Sequence, residues 1–290
     1  MQIGASELIL NADNSIYHLN LLPEDLGNTV ILVGDQNRVP RVSKHFDSIE
    51  ITKNKREFIT HTGWLQNKRI SVISTGIGTD NIDIVLNEID ALANIDFGSR
   101  TVKKEKKSLD LIRIGTSGAI QPDIPVDSFI CSEYAMGFDA VLHYYDSESV
   151  RHLDAEKAFI THAKWAANKS IPYVVGGDPE LAQYFSKDGS LPGFTGSNIG
   201  FYGPQGRSLR VPLASNTLNK TIASFEYKGR KITNLEMETS AIYGLSKLMG
   251  HRAVSMNAII ANRSAMEFTK NPANTVDRLI QWTLDKILAY

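Results

Sequence analysis

Thr29-Val30-Ile31-Leu32-Val33-Gly34 is an unbroken apolar run that stops at a glycine, the pattern of a short buried strand. The pattern recurs at Arg69 to Thr75, Leu109 to Ile114, Val126 to Cys131, Ile171 to Val175 and Arg252 to Ala261, all short and rich in Val and Ile. Between these runs the period changes. Ala241, Ile242, Leu245, Leu248 and Met249 recur at helical spacing from a start near Glu238, and Gly250 stands where a C-terminal cap belongs. Val276, Leu279, Ile280, Ile287 and Leu288 share one face of a closing amphipathic helix. Strands spaced between helices predict an α/β layer architecture.

Two stretches interrupt the pattern and are expected to be surface insertions. Residues 100–108 carry four lysines around Glu105, the composition of a solvated loop tip. Residues 178–193 are rich in Gly, Pro and polar side chains, and fit either a lid over a site or an idle loop. Neither has the character of an inter-domain linker, so residues 1–290 are expected to form one domain.

Composition narrows the function. With 31 basic against 32 acidic residues, the chain lacks the electrostatic footprint of nucleic-acid or anionic-membrane binding. A small-molecule partner is the default. A single cysteine, Cys131, excludes an internal disulfide and cysteine-paired zinc or redox motifs. The first basic residue is Arg38 and no apolar run approaches the ~20 residues of a membrane helix, so the expectation is a soluble cytoplasmic protein.

Chemistry concentrates where the strand runs end. Gly34-Asp35-Gln36-Asn37-Arg38 sets an arginine four residues past a strand-ending glycine, where it could meet an anion held by backbone amides; an ordinary strand-to-helix turn reads the same. Ser74-Thr75-Gly76-Ile77-Gly78-Thr79-Asp80-Asn81 is glycine-rich and opens a helical pattern, as a phosphate-cradling turn or a tight packing turn would. Asn81 stands where a dinucleotide fingerprint needs its third glycine, which excludes a nicotinamide dehydrogenase. In Leu111-Ile112-Arg113-Ile114-Gly115-Thr116-Ser117-Gly118 an arginine sits inside an apolar strand, costly unless its charge is paired. Its partner is either a bound anion, gripped also by Thr116 and Ser117, or an internal carboxylate.

Asn234-Leu235-Glu236-Met237-Glu238 brings two carboxylates to a helix start, one able to enter a site while the other supports the fold. Phe201-Tyr202-Gly203-Pro204-Gln205-Gly206-Arg207 couples an aromatic surface to an amide and a guanidinium that could read a nucleobase edge. No two histidines lie closer than nine residues, so a helical zinc pair is absent. The serine-hydrolase elbow and the Walker loop are absent too.

Taken in order, these segments resemble the nucleoside phosphorylase family of the purine and uridine type, over nearly the whole chain from about Tyr17. The nearest likeness is to its uridine-cleaving members. It is carried by Tyr17-His18-Leu19, Gly34-Asp35-x-x-Arg38, Arg56-Glu57-Phe58, Ser74 to Gly78, Arg113 to Thr116, Phe201-Tyr202-x-x-Gln205-x-Arg207, Glu236-Met237-Glu238 and Ala261-Asn262-Arg263. The resemblance implies a central mixed β-sheet flanked by helices. It implies a phosphate site of Gly34, Arg38, Arg113 and Thr116, with Arg56 from a neighbouring subunit, and a ribose site of Glu238, Met237 and the neighbour's His18. The base would stack near Phe201 and be read by Gln205 and Arg207, with Ile259, Ile260 and Arg263 lining or bracing the pocket.

The implied reaction is reversible phosphorolysis of uridine to uracil and ribose 1-phosphate, with Arg113, Glu238 and Arg207 as the catalytic set and phosphate as co-substrate rather than cofactor. The implied assembly is a homo-oligomer, at least a dimer, with a hexameric trimer of dimers as the family expectation. Purine-cleaving members carry an aspartate near the end of the strand that here reads Ile259-Ile260-Ala261-Asn262-Arg263, and this chain has no acid there. A purine or broad-specificity phosphorylase is the nearest alternative, and a non-catalytic nucleoside-binding module the more remote one. Where bacterial relatives hold a monovalent cation such as potassium between subunits, Glu57 and Ile77 match but Asn81 replaces a serine, which leaves that site open.

Overall fold

The apolar runs become strands of one sheet. In the computed structural model, which describes residues 2–290, the eleven strands are β1 (Thr29–Val33), β2 (Ser48–Lys55), β3 (Phe58–Leu65), β4 (Lys68–Ser74), β5 (Asp110–Ala119), β6 (Phe129–Gly137), β7 (Tyr173–Gly176), β8 (Ser190–Ser197), β9 (Asn234–Glu236), β10 (Arg252–Asn262) and β11 (Glu267–Phe268). The helices are α1 (Arg38–Ser43), α2 (Thr79–Asn94), α3 (Leu153–Ala163), α4 (Pro179–Phe185), α5 (Leu218–Ser224), α6 (Thr239–Met249) and α7 (Pro272–Ala289).

The strand order is β11-β10-β6-β8-β9-β5-β1-β4-β3-β2, with β7 paired to Tyr134–Gly137 of β6, past the stretch that β10 pairs with. A further parallel pairing joins β10 to β5, from Arg252 opposite Asp110 to Asn262 opposite Ala119. That contact closes β5, β10, β6, β8 and β9 into a small barrel, from which β1, β4, β3 and β2 extend as an open wing. The sheet is mixed: β1 runs parallel to β4 and β5, while β10 is antiparallel to β6.

Two apolar layers cover it. On one face Ile82, Val85, Leu86 and Ile89 of α2 meet Ala241, Ile242 and Leu245 of α6. On the other, Val276, Leu279, Ile280, Leu284 and Ile287 of α7 pack with Val39 and Val42 of α1 and with Leu181 and Phe185 of α4. Each fully buried Leu or Ile contributes about 1.5–3 kcal/mol. α6 ends as its sequence predicts, with Gly250 left-handed at φ 79°.

Two expectations change here. Residues 178–193, expected to be a surface insertion, supply α4 and the first half of β8. Asp178 caps α4 by accepting from the Leu181 amide, and Leu181 and Phe185 are buried in the core. The Gly- and Pro-rich composition reflects a short capped helix and a bulged strand rather than a lid. Residues 100–108 are mostly exposed, with Thr101 and Val102 paired to Ile95 and Asp96 and the Arg100 guanidinium donating to the carbonyls of Ile3 and Gly4. β5 also runs five residues past its expected end, because Gly115 to Ala119 pair with β10.

Candidate active site

The ends of β1, β4, β9 and β10, the middle of β5 and the start of α6 converge on an open cleft of about 1060 Å³. Ligands of open α/β sheets collect at the carboxyl ends of strands. Gly34, Arg38, Arg113 and Thr116 line it, together with Met237 and Glu238 and with Phe201, Gln205, Arg207, Ile260 and Arg263. Ile259 faces away, buried with Ala119, Ile124 and Ile130.

Arg38 begins α1 immediately after the Gly34 turn. Its side chain is buried, one Nη1–H goes to the Ile114 carbonyl at 3.2 Å, and Nε has no partner among the described residues. Burial and the neighbouring Arg113 charge bring Arg38 down to about 10, so it stays cationic at neutral pH. A buried cation with an unpaired N–H is a strong anion receptor.

Arg113 realises the alternative of an internal ion pair while also lining the cleft. Its Nη2 lies 2.6 Å from Glu238 Oε2 and 3.0 Å from Glu236 Oε2, and its Nη1 donates to Asn257 Oδ1 at 2.9 Å. Burial opposes its charge, but Glu236 and Glu238 outweigh that and hold it above its ordinary value. Gly115 makes the fold-over possible, because a Cβ there would sit 2.0 Å from Nη1.

The two carboxylates divide their work. Glu236 accepts from the amides of Glu238 at 2.9 Å and Thr239 at 3.0 Å, and from Ser197 Oγ at 2.5 Å, so it caps α6. Among the described residues Glu238 takes only the Gly78 amide, at 2.8 Å, and Arg113. Burial raises it above the ordinary carboxylate value, with Arg113 opposing and Glu236 adding to the rise. Glu238 is therefore the carboxylate free to exchange partners.

In the loop after β8 Arg207 donates to Gln205 Oε1 at 2.6 Å and to the Phe201 carbonyl at 2.7 Å, with its guanidinium 3.9 Å above the Phe201 ring. Arg263 donates to the carbonyls of Gln205 and Gly206, bracing the loop from below. Burial, and then Arg207, bring Arg263 down to about 10. Asn262 is committed to the backbone: Nδ2 donates to the carbonyls of Gln121 and Ile124, and Oδ1 accepts from the amides of Ser264 and Ala265.

Besides Ile259, two expected site residues lie outside this cleft. Arg56 is exposed at the β2–β3 turn, left-handed at φ 56°. His18 is held by Glu88, whose carboxylate takes Nδ1 at 2.7 Å and the amides of His18 and Leu19. Glu57, Ile77 and Asn81 do meet at the cleft edge, but Asn81 Nδ2 donates to the Ile77 carbonyl at 3.4 Å. Among the described residues no cluster of three or more His, Cys, Asp or Glu side chains is placed to hold a metal, and no helix is long and apolar enough to cross a membrane.

Sequence reasoning missed Asn257 and Glu88. Asn257 had a signal of the kind that exposed Arg113, a polar side chain inside the apolar run of β10. Glu88 had none, since a carboxylate on an amphipathic helix is ordinary.

Residues 28–288 match the Phosphorylase superfamily. A uridine phosphorylase of Thermococcus kodakarensis is 30% identical over 263 residues, 88% of this chain and 80% of its own. One from Escherichia coli is 30% identical over 88% of both chains. The crystal structure of a Trypanosoma brucei nucleoside phosphorylase, described as showing uridine phosphorylase activity, superposes with a TM-score of 0.87 at 26% identity, covering 98% of this chain and 100% of that one.

Proposed function

The chain belongs to the phosphorylase superfamily, and we propose that it is a pentosyltransferase catalysing the reversible phosphorolysis of uridine to uracil and ribose 1-phosphate. The observation that carries this reading is one cleft with a cationic, partly unpaired end at Arg38 and Arg113, an exchangeable carboxylate at Glu238, and an amide with two guanidiniums at Gln205, Arg207 and Arg263. Relatives similar over 88% of the chain bear the same activity in name.

In this reading phosphate rests against Gly34, Arg38, Arg113 and Thr116. Glu238 turns to the sugar hydroxyls, with the Met237 backbone beside it. A phosphate oxygen attacks C1′ as the bond to the base nitrogen breaks, and that electron pair leaves with uracil. Arg207 faces the charge that develops on the base, and the reaction proceeds by positioning and electrostatics. Asn262 stands near the strand end where the family resemblance locates the proton-donating aspartate of purine-cleaving members. Its amide is spent on backbone, which favours a pyrimidine.

Charge balance favours shared sites. Within one chain Glu236 and Glu238 both pair with Arg113, which leaves Arg38 to face the anion, and a dianion needs more positive charge. Exposed Arg56, outside its own cleft, is suited to supply it to a second copy, with His18 reaching the neighbouring ribose. The assembly is therefore at least a dimer.

The test is the ultraviolet absorbance change of uridine with and without phosphate, beside inosine and thymidine. Phosphate-dependent loss of uridine is the expected result. Loss of inosine alone would overturn the base assignment, and phosphate-independent cleavage would overturn phosphorolysis.

A further inference from the structure

Arg113 is held at both ends of its fork, and the two ends are held by different chemistry. Nη2 meets two carboxylates, Glu238 and Glu236. Nη1 meets a neutral amide, Asn257 Oδ1 at 2.9 Å, with Ser255 Oγ further off at 3.3 Å. We infer that Asn257 is the positioning residue that keeps the Arg113 guanidinium in register for phosphate while Glu238 is engaged by the sugar. This rests on the phosphorolysis reading of the same cleft.

The sheet makes the contact obligatory. β10 pairs with β5 so that Ser255 lies opposite Arg113 and Asn257 opposite Gly115. Side chains two apart on a strand share a face, so Asn257 meets the guanidinium where it folds over the bare glycine. The amide is itself pinned: Nδ2 donates to Ser132 Oγ at 3.2 Å and Ser255 Oγ at 3.4 Å, and Ser132 Oγ is bonded to Thr195 Oγ1 at 2.6 Å. With Nδ2 committed to two hydroxyls, Oδ1 points at Arg113. Asn257 is fully buried and lines no part of the cleft. It can act on substrate only through Arg113.

An amide suits this position better than an acid. Glu238 must give up part of its hold on Arg113 to bind ribose, and Glu236 is shared with the start of α6. Asn257 is the strong contact on Nη1 and is unaffected by either event. A carboxylate in its place would set a third negative charge around one guanidinium, at the end of the cleft that receives a dianion.

The test is steady-state kinetics of Asn257→Asp, varying phosphate and uridine separately. The expected result is a phosphate KM raised about tenfold, with the uridine KM within about threefold. An equal rise in both, or an unchanged phosphate KM, overturns the inference. Should Asn257→Asp fail to fold, Asn257→Ser removes the acceptor without adding charge and is expected to raise the phosphate KM by about threefold or more. A second readout needs no turnover: thermal stabilisation by phosphate alone, whose midpoint should shift in Asn257→Asp by the same factor. A wild type stabilised by phosphate but inactive on uridine overturns the substrate assignment and leaves this midpoint to decide the role of Asn257. No stabilisation and no turnover overturns both.

Discussion

Gly115→Ala strikes the site at its tightest point. Gly115 has no left-handed backbone angle, so alanine suits the chain there and conflicts only with Arg113. The added methyl would lie 2.0 Å from Nη1, 2.3 Å from Cζ and 2.5 Å from Nη2, against an ordinary contact of about 3.5 Å. The guanidinium would have to withdraw by roughly 1–1.5 Å. An arginine head in solvent does this freely. Here Nη2 is 2.6 Å from Glu238 and 3.0 Å from Glu236, and Nη1 is 2.9 Å from Asn257. A withdrawal of that size carries the contacts to the limit of hydrogen bonding. Breaking a buried ion pair costs about 3–5 kcal/mol, a large share of a typical stability of about 5–15 kcal/mol. Guanidinium denaturation should show a loss of about 3 kcal/mol or more, and calorimetry a melting point lower by about 6–12 °C, with a raised phosphate KM. A variant within about 1 kcal/mol of wild type would refute the idea that the guanidinium is pinned.

Three further outcomes follow from the same geometry. Arg207→Ala should lower kcat on uridine about 10²–10³-fold while the melting point barely moves, because its contacts stay within its own loop; parallel losses of activity and stability would remove its role at the leaving base. Arg56→Ala and Glu238→Gln proteins, each nearly inactive, should regain about a quarter of wild-type activity when refolded together, as random pairing of two-site dimers predicts; no recovery would place Arg56 outside the neighbour's site. Burial raises buried Asp139 above the ordinary 3.8, although Tyr173 Oη and Ser240 Oγ donate to it. The folded chain then binds that proton more tightly than the unfolded chain, so the group's contribution is full below 3.8 and is lost as pH rises through the folded value. The stability of wild type relative to Asp139→Asn should fall as pH is raised from 4 towards neutral in denaturant titrations, and a rise would contradict the assigned direction.

Local periodicity was enough to find β1, β4, β10, α6 and α7, because their burial is written as apolar spacing. It could not find β8, whose Ser190-Leu191-Pro192-Gly193-Phe194-Thr195-Gly196-Ser197 has no apolar run. That segment is a strand because β6 and β9 offer it partners on both sides. For the same reason residues 178–193 read as a loop, although Leu181 and Phe185 find cover beneath α7.

The site divides along the same line. Residue types at strand ends picked out Arg38, Arg113, Glu236 and Glu238 as candidates, since an arginine in an apolar strand or two carboxylates at a helix start announce unpaired chemistry locally, and the phosphate, ribose and base roles proposed for the site came from the family resemblance. Which charge pairs with which was settled only by the fold. Glu238 is 125 residues from Arg113 and Asn257 is 144; closure of β10 onto β5 brings Asn257 to the arginine, and pairing of β9 with β5 brings Glu238. Sequence determines which groups are too costly to bury alone, because that cost belongs to the residue. The tertiary structure decides who satisfies them, because hydrogen bonds and ion pairs act over about 3 Å, and chain distance has no bearing on that.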